Sequence, residues 1–226
     1  GGEVCYLQGE GQMDIERSKP MQDDAIFRIY SMTKPITSVA LMMLHEKGLF
    51  SLTDPVHRYI PNWKKLRVYK SGTWPMILSE SATSVMTIRD LFMHTSGLTY
   101  GFLRATNVDQ AYRKAQVEHI RPDYTLQQMI DELAELPLEF NPGEEWNYSV
   151  ATDVLGHLVE VISGQSLADY FQQHIFEPLG MVDTGFEITD DKVDRFSACY
   201  NRDMHKNLIL QDDPANSEYR DRSFYS

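Results

Sequence analysis

The sequence predicts a mixed α/β (α+β) fold, mostly helical with few strands and incomplete in this chain. Three observations lead there. Five or six segments carry apolar residues at helical spacing. Of two stretches near one end, Glu3–Gln8 reads as a strand and Ala25–Tyr30, rich in β-branched and aromatic residues, as a second strand or an extended entry. Two strands make no independent sheet, since three or more with a covered face are needed, so the chain reads as part of a larger fold. The 226 residues are 42% hydrophobic and 24% charged, ordinary values for a globular protein that exclude fibrous and disordered classes.

The elements follow in order. After the first stretch, bounded by Gly9 and Gly11, comes a polar connection with Pro20 and Asp23-Asp24. Beyond Ala25–Tyr30, the residues Ile36, Val39, Ala40, Met43 and Leu44 recur at helical spacing, with Gly48 as the stop. Pro35 lacks the N–H that would reach residue 31. It is harmless only if the helix begins at about residue 31 to 34, which places Ser31 at the helix start. Asp54-Pro55 reads as an N-cap and first-turn pair leading to Val56, Tyr59 and Ile60. Residues 63–86, with Gly72, Pro75 and many Ser and Thr, read as loop with short strands. Thr87 and Asp90 form a capping-box start for Ile88–His94, and Thr95-Ser96-Gly97 makes a turn. Thr125 caps a helix with the face Leu126, Met129, Ile130 and Leu133, closed by Pro137. Another helix carries Val154, Leu155, Leu158, Val159 and Ile162, stopped by Gly164. A further one carries Leu167, Tyr170, Phe171 and Ile175 and ends before Pro178. From Arg195 onward the pattern weakens.

Lys plus Arg number 21 against 33 Asp plus Glu, a net charge of −12, which repels phosphate backbones and argues against nucleic acid as a partner. The densest basic stretch, Lys64, Lys65, Arg67 and Lys70 with Trp63 and Tyr69, reads as a solvated face. Asp23-Asp24, Asp183 and Asp212-Asp213 read as solvated turns. No apolar run approaches the ~20 residues of a membrane span, so no membrane partner is expected. Cys5 and Cys199 make neither a disulfide framework nor a zinc site; free buried thiols suit a reducing compartment, so the cytoplasm is favoured, with the periplasm open. The histidines show no paired-ligand spacing, so no metal or cofactor is expected. No G-x-S-x-G elbow occurs.

Ser31-Met32-Thr33-Lys34 is the sharpest chemical feature. Residues three apart on a helix share a face, which puts the Lys34 amine beside the Ser31 oxygen. A helix N-terminus offers N–H groups and positive potential to a carbonyl oxygen. A serine nucleophile needs both. An N-capping Ser31 and a surface Lys34 would look the same in four residues. Asn141–Ser149 is the second feature: a turn at Asn141-Pro142-Gly143, then Trp146 and Tyr148 just before a helix beginning near Val150. Its Glu144-Glu145 pair is a candidate for tuning a nearby cleft. Tyr148 can present its phenol to such a cleft or pack it in the core.

Six blocks stand in register with a known family. Ile26–Ile36 (IFRIYSMTKPI), Leu91–Leu98 (LFMHTSGL), Phe140–Gly143 (FNPG), Trp146–Ser149 (WNYS), Asp153–Gly156 (DVLG) and Glu177–Met181 (EPLGM) occur in the order of the serine β-lactamase-like superfamily. The chain most resembles the family VIII carboxylesterases, which are similar to class C β-lactamases and D-Ala-D-Ala carboxypeptidases. The resemblance implies the β-lactamase/penicillin-binding-protein-like fold, a helical region beside an antiparallel sheet that is flanked by helices. Residues 1–50 would form the first part of its α/β region, 51–165 a mostly helical region, and 166–226 the return. It implies that Ser31 is the acylated nucleophile, that Lys34 shares its proton network and that Tyr148 opens the Y-x-N element. An ammonium favours the ionised form of a neighbouring phenol, so Tyr148 can take and return the serine proton; Lys34 as base is the other assignment. Met32, Trp146, Ser149 and Val150 are the candidate substrate contacts.

Two departures qualify this. Val150 stands where the β-lactamases and carboxypeptidases have Asn, which argues for esters over amides. The third sheet element (K-T-G, H-x-G or W-x-G), which gives the second oxyanion donor, is expected beyond residue 226, and an N-terminal helix before Gly1. A missing segment or a partner chain would complete the sheet. The expected activity is cleavage of short-chain carboxylic esters, a small-molecule substrate class. A penicillin-recognising hydrolase or carboxypeptidase and a non-catalytic scaffold are the alternatives.

Overall fold

A computed structural model describes residues 2–118 and 124–220; His119 and the Tyr225-Ser226 end lie outside them. In chain order the elements are β1 (Gln12–Asp14), β2 (Lys19–Pro20), α1 (Thr33–Glu46), β3 (Arg67–Thr73), β4 (Met76–Ser81), α2 (Ile88–Phe92), α3 (Asn107–Ala115), α4 (Leu126–Ala134), α5 (Ala151–Ser163), α6 (Leu167–Phe171), α7 (Glu177–Leu179), β5 (Cys199–Arg202) and β6 (Leu208–Asp212). The strands pair two by two, β1 with β2, β3 with β4 and β5 with β6, all antiparallel. The chain divides into two contact units, one running through Ser31 and resuming at Val182, the other Met32–Met181.

The Met32–Met181 unit is built on α5, which packs against α1, α2, α4 and α6. Ala151, Val154, Leu155, Leu158 and Val159 of α5 are buried, and α1 turns Thr37, Ala40, Leu41 and Leu44 inward at helical spacing. At Gly156 a Cβ would lie 2.9 Å from the Leu167 side chain, so a larger residue there would require that side chain to shift. Helices α2, α3 and α4 begin alike. Thr87, Thr106 and Thr125 each accept the N–H three residues on, and the side chain there (Asp90, Asp109, Gln128) accepts the threonine's own N–H. Each box satisfies two donors that a helix start otherwise leaves open.

Several expectations are corrected. Asp54 caps no helix: the turn Val56–Arg58 starts from Pro55 without a side-chain cap, and the Asp54 carboxylate accepts the Ser51 N–H at 2.9 Å instead. The short strands expected within residues 63–86 form one hairpin, β3–β4, paired from Arg67–Ser81 to Thr73–Met76 with a one-residue register shift between Tyr69 and Ser71. Within the basic stretch, Trp63 is buried and donates to the Ile130 carbonyl, and Lys70 pairs with Glu80 across the hairpin at 3.0 Å. The helix after Leu167 does not stop before Pro178. Residues Gln172–Phe176 widen to π geometry, with Glu177 N–H reaching the Gln172 carbonyl. Pro178 follows this widened turn directly, as the second residue of α7.

In the other unit, Glu3–Gln8 forms no strand. Residues 3–8 are exposed, Val4, Tyr6 and Leu7 included, and no described strand pairs with them. Ala25–Tyr30 contributes a single parallel bridge, Ile26 to Phe196, before the backbone turns helical. That bridge joins the two ends of the chain: Ile26 N–H donates to the Arg195 carbonyl at 2.7 Å and Ser197 N–H to the Ile26 carbonyl at 2.9 Å. Arg28 sits beside it with its side chain only 4% exposed, ion-paired with Asp212 and 3.8 Å from the centre of the Phe196 ring. Asp212 and Asp213 are therefore not free solvated charges, since Asp213 pairs with Arg17 at 2.9 Å. Asp183 pairs with Arg195 and Lys192, and the Arg195 hydrogen bonds hold its carboxyl down at about 2. Of the two cysteines, both free, Cys5 is exposed and Cys199 half-buried, contrary to the expected burial.

Leu158→Ala should lower the unfolding free energy by about 2–5 kcal/mol, because it opens a cavity under a helix packed on several sides. Leu208→Ala, on an exposed position of β6, should change it by less than ~0.5 kcal/mol. Urea unfolding of both variants measures the difference.

Candidate active site

The site is assembled from the start of α1, the turn after α2 and the segment entering α5. A 3-10 turn, Tyr30–Met32, precedes α1 and contains Ser31, which is exposed. Pro35 lies in the first turn of α1, where its missing N–H costs no bond. Tyr30 holds a left-handed backbone, φ +42°, a conformation that costs a non-glycine residue about 1–3 kcal/mol and collects at functional sites. In its own unit the Tyr30 ring meets Tyr219 edge-on at 6.0 Å and its hydroxyl lies 3.6 Å from the Cys199 sulfur.

The tyrosine segment is fastened to the turn after α2 by backbone bonds. Glu139 N–H donates to the Gly97 carbonyl, Gly143 N–H to Thr95, Asn147 N–H to His94 and Val150 N–H to Thr99. The Asn147 side chain adds a bond to the Leu98 carbonyl at 3.0 Å. Gly97, at φ +84°, passes so near that a Cβ would stand 2.3 Å from the Phe140 carbonyl oxygen, which explains the glycine of the His-Thr-Ser-Gly-Leu block. Glu144 stays in the turn, accepting from Asn141, and so braces the loop.

These constraints bring Lys34 and Tyr148 together. The Lys34 ammonium lies 4.7 Å from the centre of the Tyr148 ring and 5.4 Å from that of Tyr100, within cation–π range. The two tyrosine rings are 5.2 Å apart. His94 stands 5.1 Å from Tyr148, and its Nδ1 is 3.2 Å from the Ser149 hydroxyl. Burial first, and the Lys34 charge second, hold the His94 imidazole below its ordinary value, so it stays neutral near pH 7 and props the segment.

Not every candidate arrives at a surface. Met32 is 69% exposed and Trp146 67% exposed, available for contact. Ser149 is 0% and Val150 1% exposed, so the structure does not present them to a substrate. The Ser149 hydroxyl accepts the Ala151 N–H, and Val150 occupies the N-cap of α5.

The sequence reading missed Tyr100 and Asp153, which lie around Lys34, and Glu118, which interacts with both of them. Tyr100 follows directly on the His-Thr-Ser-Gly-Leu block, the signal that could have found it. Burial pushes its phenol up, with the Asp153, Tyr148 and Glu118 charges adding to the shift. Asp153 lies in the first turn of α5. Burial raises its carboxyl to about 6, against the pull of Lys34. Glu118 accepts the Gly101 N–H and is pushed by burial to about 7, with Asp153 repelling it further. Tyr100, Asp153, Glu118 and His94 are all held from their charged forms by burial, a concentration of perturbed groups typical of proton-transfer sites. Among the described residues no cluster of His, Cys, Asp and Glu could hold a metal ion, and no helix is long and apolar enough to cross a membrane.

The chain matches the family described as Beta-lactamase over residues 1–219 and belongs to that family, with its fold of helices and small antiparallel sheets. It is 37% identical over 198 residues to Protein Rv1367c of Mycobacterium tuberculosis, covering 88% of this chain and 48% of that protein. It is 33% identical over 214 residues to Esterase EstB of Burkholderia gladioli, covering 93% and 50%. Among solved structures it superposes on EstCE1, "a hydrolase with promiscuous acyltransferase activity", at TM-score 0.77 and 31% identity, covering 94% of this chain and 52% of the other. The chain thus spans about half the length of these relatives.

Asp153 releases its proton at higher pH when folded than when unfolded. As pH rises from 3.8 to about 6 the unfolded chain loses the proton first, so the folded state loses stability; below 3.8 both states keep it and the penalty vanishes. Asp153→Asn should flatten this part of the stability profile, gaining on the parent between about pH 4 and about pH 7. Thermal unfolding of both proteins across that range checks it; parallel profiles would refute it.

Proposed function

We propose that this chain carries the nucleophile side of a serine hydrolase that cleaves short-chain carboxylic esters. The observation that carries the reading is the Lys34 ammonium over the ring of Tyr148 at 4.7 Å, with Ser31 three residues before that lysine on the turn leading into α1. The esterase EstB and the hydrolase EstCE1 support the same class. In the reaction, the Ser31 hydroxyl attacks the ester carbonyl and its proton passes into the Lys34–Tyr148 pair. The tetrahedral oxyanion collapses, the C–O bond to the alcohol breaks, and the alcohol leaves with the proton. Water then adds to the acyl-enzyme, releasing the carboxylic acid and restoring Ser31. An alcohol in place of water would give acyl transfer, a second reading favoured by the promiscuous acyltransferase activity of EstCE1. The chemistry needs no metal and no cofactor.

In the complete protein, Ser31→Ala should abolish hydrolysis of a short-chain nitrophenyl ester, and Tyr148→Phe should lower kcat by about 10²–10⁴-fold, the usual worth of a positioned proton carrier. Intact-mass measurement should show an acyl adduct on the parent and none on Ser31→Ala. Near-normal turnover by Ser31→Ala would overturn the assignment.

A further inference from the structure

Five rings in the Met32–Met181 unit form one continuous arc. Phe102 stacks on Tyr100 with centroids 4.8 Å apart and planes 27° apart. Tyr100 meets Tyr148 at 5.2 Å, Tyr148 meets His94 at 5.1 Å, and His94 meets Trp146 edge-on at 6.2 Å. The middle of the arc is half-buried and carries Lys34 against Tyr100 and Tyr148. Its two ends are open, Phe102 61% exposed and Trp146 67% exposed.

The open ends are not loose ends. Phe102 lies in a 3-10 turn, Gly101–Leu103. The Gly101 N–H of that turn is held by Glu118 and its carbonyl by the Arg113 guanidinium, which is itself fixed to Asp109 at 2.7 Å. Trp146 is pinned by the Asn147 bonds to His94 and Leu98. Single exposed apolar residues are ordinary on a protein surface. Two large rings held rigidly at either end of an aromatic run that converges on a lysine–tyrosine pair are a prepared apolar surface of the kind that marks ligand sites.

We propose that this arc binds a flat apolar group of the substrate, so that the esters turned over carry an aryl or fused-ring moiety on one side of the scissile bond. This deepens the ester-hydrolase reading and rests on it. Phe102 and Trp146 are specificity-determining: each offers a ring face or edge to the substrate's ring without touching the reacting atoms. The shared chemistry is the planar apolar group, and it can reside on the alcohol or on the acyl part.

The test uses the complete protein and three probes: 1-naphthyl acetate, with the ring on the alcohol; methyl 1-naphthoate, with the ring on the acyl group; and ethyl acetate, with no ring. Phe102→Leu and Trp146→Leu keep apolar bulk and remove the ring. Each should lower kcat/KM for at least one naphthyl ester by about 10-fold, mainly through KM, the worth of one aromatic contact. Phe102→Leu should change ethyl acetate by less than about 3-fold, and Trp146→Leu should cost the responding naphthyl ester more than it costs ethyl acetate. Whichever naphthyl ester responds identifies the side on which the ring sits. Equal losses on all three probes, or no preferential loss on either naphthyl ester, overturn the proposal. Should Ser31→Ala retain turnover, the hydrolase reading itself fails; binding of 1-naphthol to that variant, weakened by Phe102→Leu or Trp146→Leu, still tests the arc on its own.

Discussion

Burial of α5 is the constraint on which the Met32–Met181 unit depends. Its buried residues lie on several sides of the helix, where a surface helix would show one stripe, and each fully buried Val or Leu contributes about 1.5–3 kcal/mol. Those contacts hold α1 against α5 and fix where the first turn of α1 lies. The Lys34 ammonium reaches two ring faces as a result. A cation–π contact is worth about 0.5–2 kcal/mol, too little to position a helix. Packing therefore sets the geometry and the electrostatics follow from it.

The electrostatics are strained in one direction. Asp153 and Glu118 are pushed up and His94 down, with burial the largest cause in each case. Water that would solvate the charged forms has been displaced by the hydrophobic contacts that build the unit. Carboxyls raised to about 6 and about 7 change protonation near neutral pH, and the first of them, Asp153, feels the charge of the lysine proposed to share the serine proton. In the other unit the same desolvation is answered by pairing: Arg28 is covered by Phe196 and neutralised by Asp212, three residues before Ser31.

Legibility followed the range of the interactions. The Thr87 and Thr125 starts, the existence of α1 and α5 and the stops at Gly48 and Gly164 were all readable, because each arises among residues a few positions apart; the inward face of α1 was not, since Thr37 and Leu41 are buried and Val39 is exposed. The start of α3 was equally local. Thr106 and Asp109 have the same spacing as Thr87 and Asp90, and α3 was nonetheless passed over because few apolar residues stand out in Asn107–Ala115. The failures were long-range. Glu3–Gln8 has strand composition, but a strand exists only when another strand supplies its hydrogen bonds. Asp212 and Asp183 looked like solvated turns because their partners, Arg28 and Arg195, are distant or unmarked in sequence. In the candidate site, Lys34 and Tyr148 were legible as motif residues. Tyr100 and Asp153 adjoin or open motif blocks but were not singled out, because their place around Lys34 depends on packing, and nothing in the neighbours of Glu118 announces a buried carboxyl.

By itself the sequence determined the helical segments with their starts and stops, and the serine, lysine and tyrosine blocks that mark the family. These rest on backbone geometry and on residue spacing, which are written locally. Only tertiary structure decided that Ser149 and Val150 are buried, that Trp146 and Phe102 stay open at the ends of one aromatic run, and that the buried Asp153 carboxyl lies within the field of Lys34. Burial and desolvation belong to no residue alone: they are set by what packs against it, and those neighbours come from positions far apart along the chain.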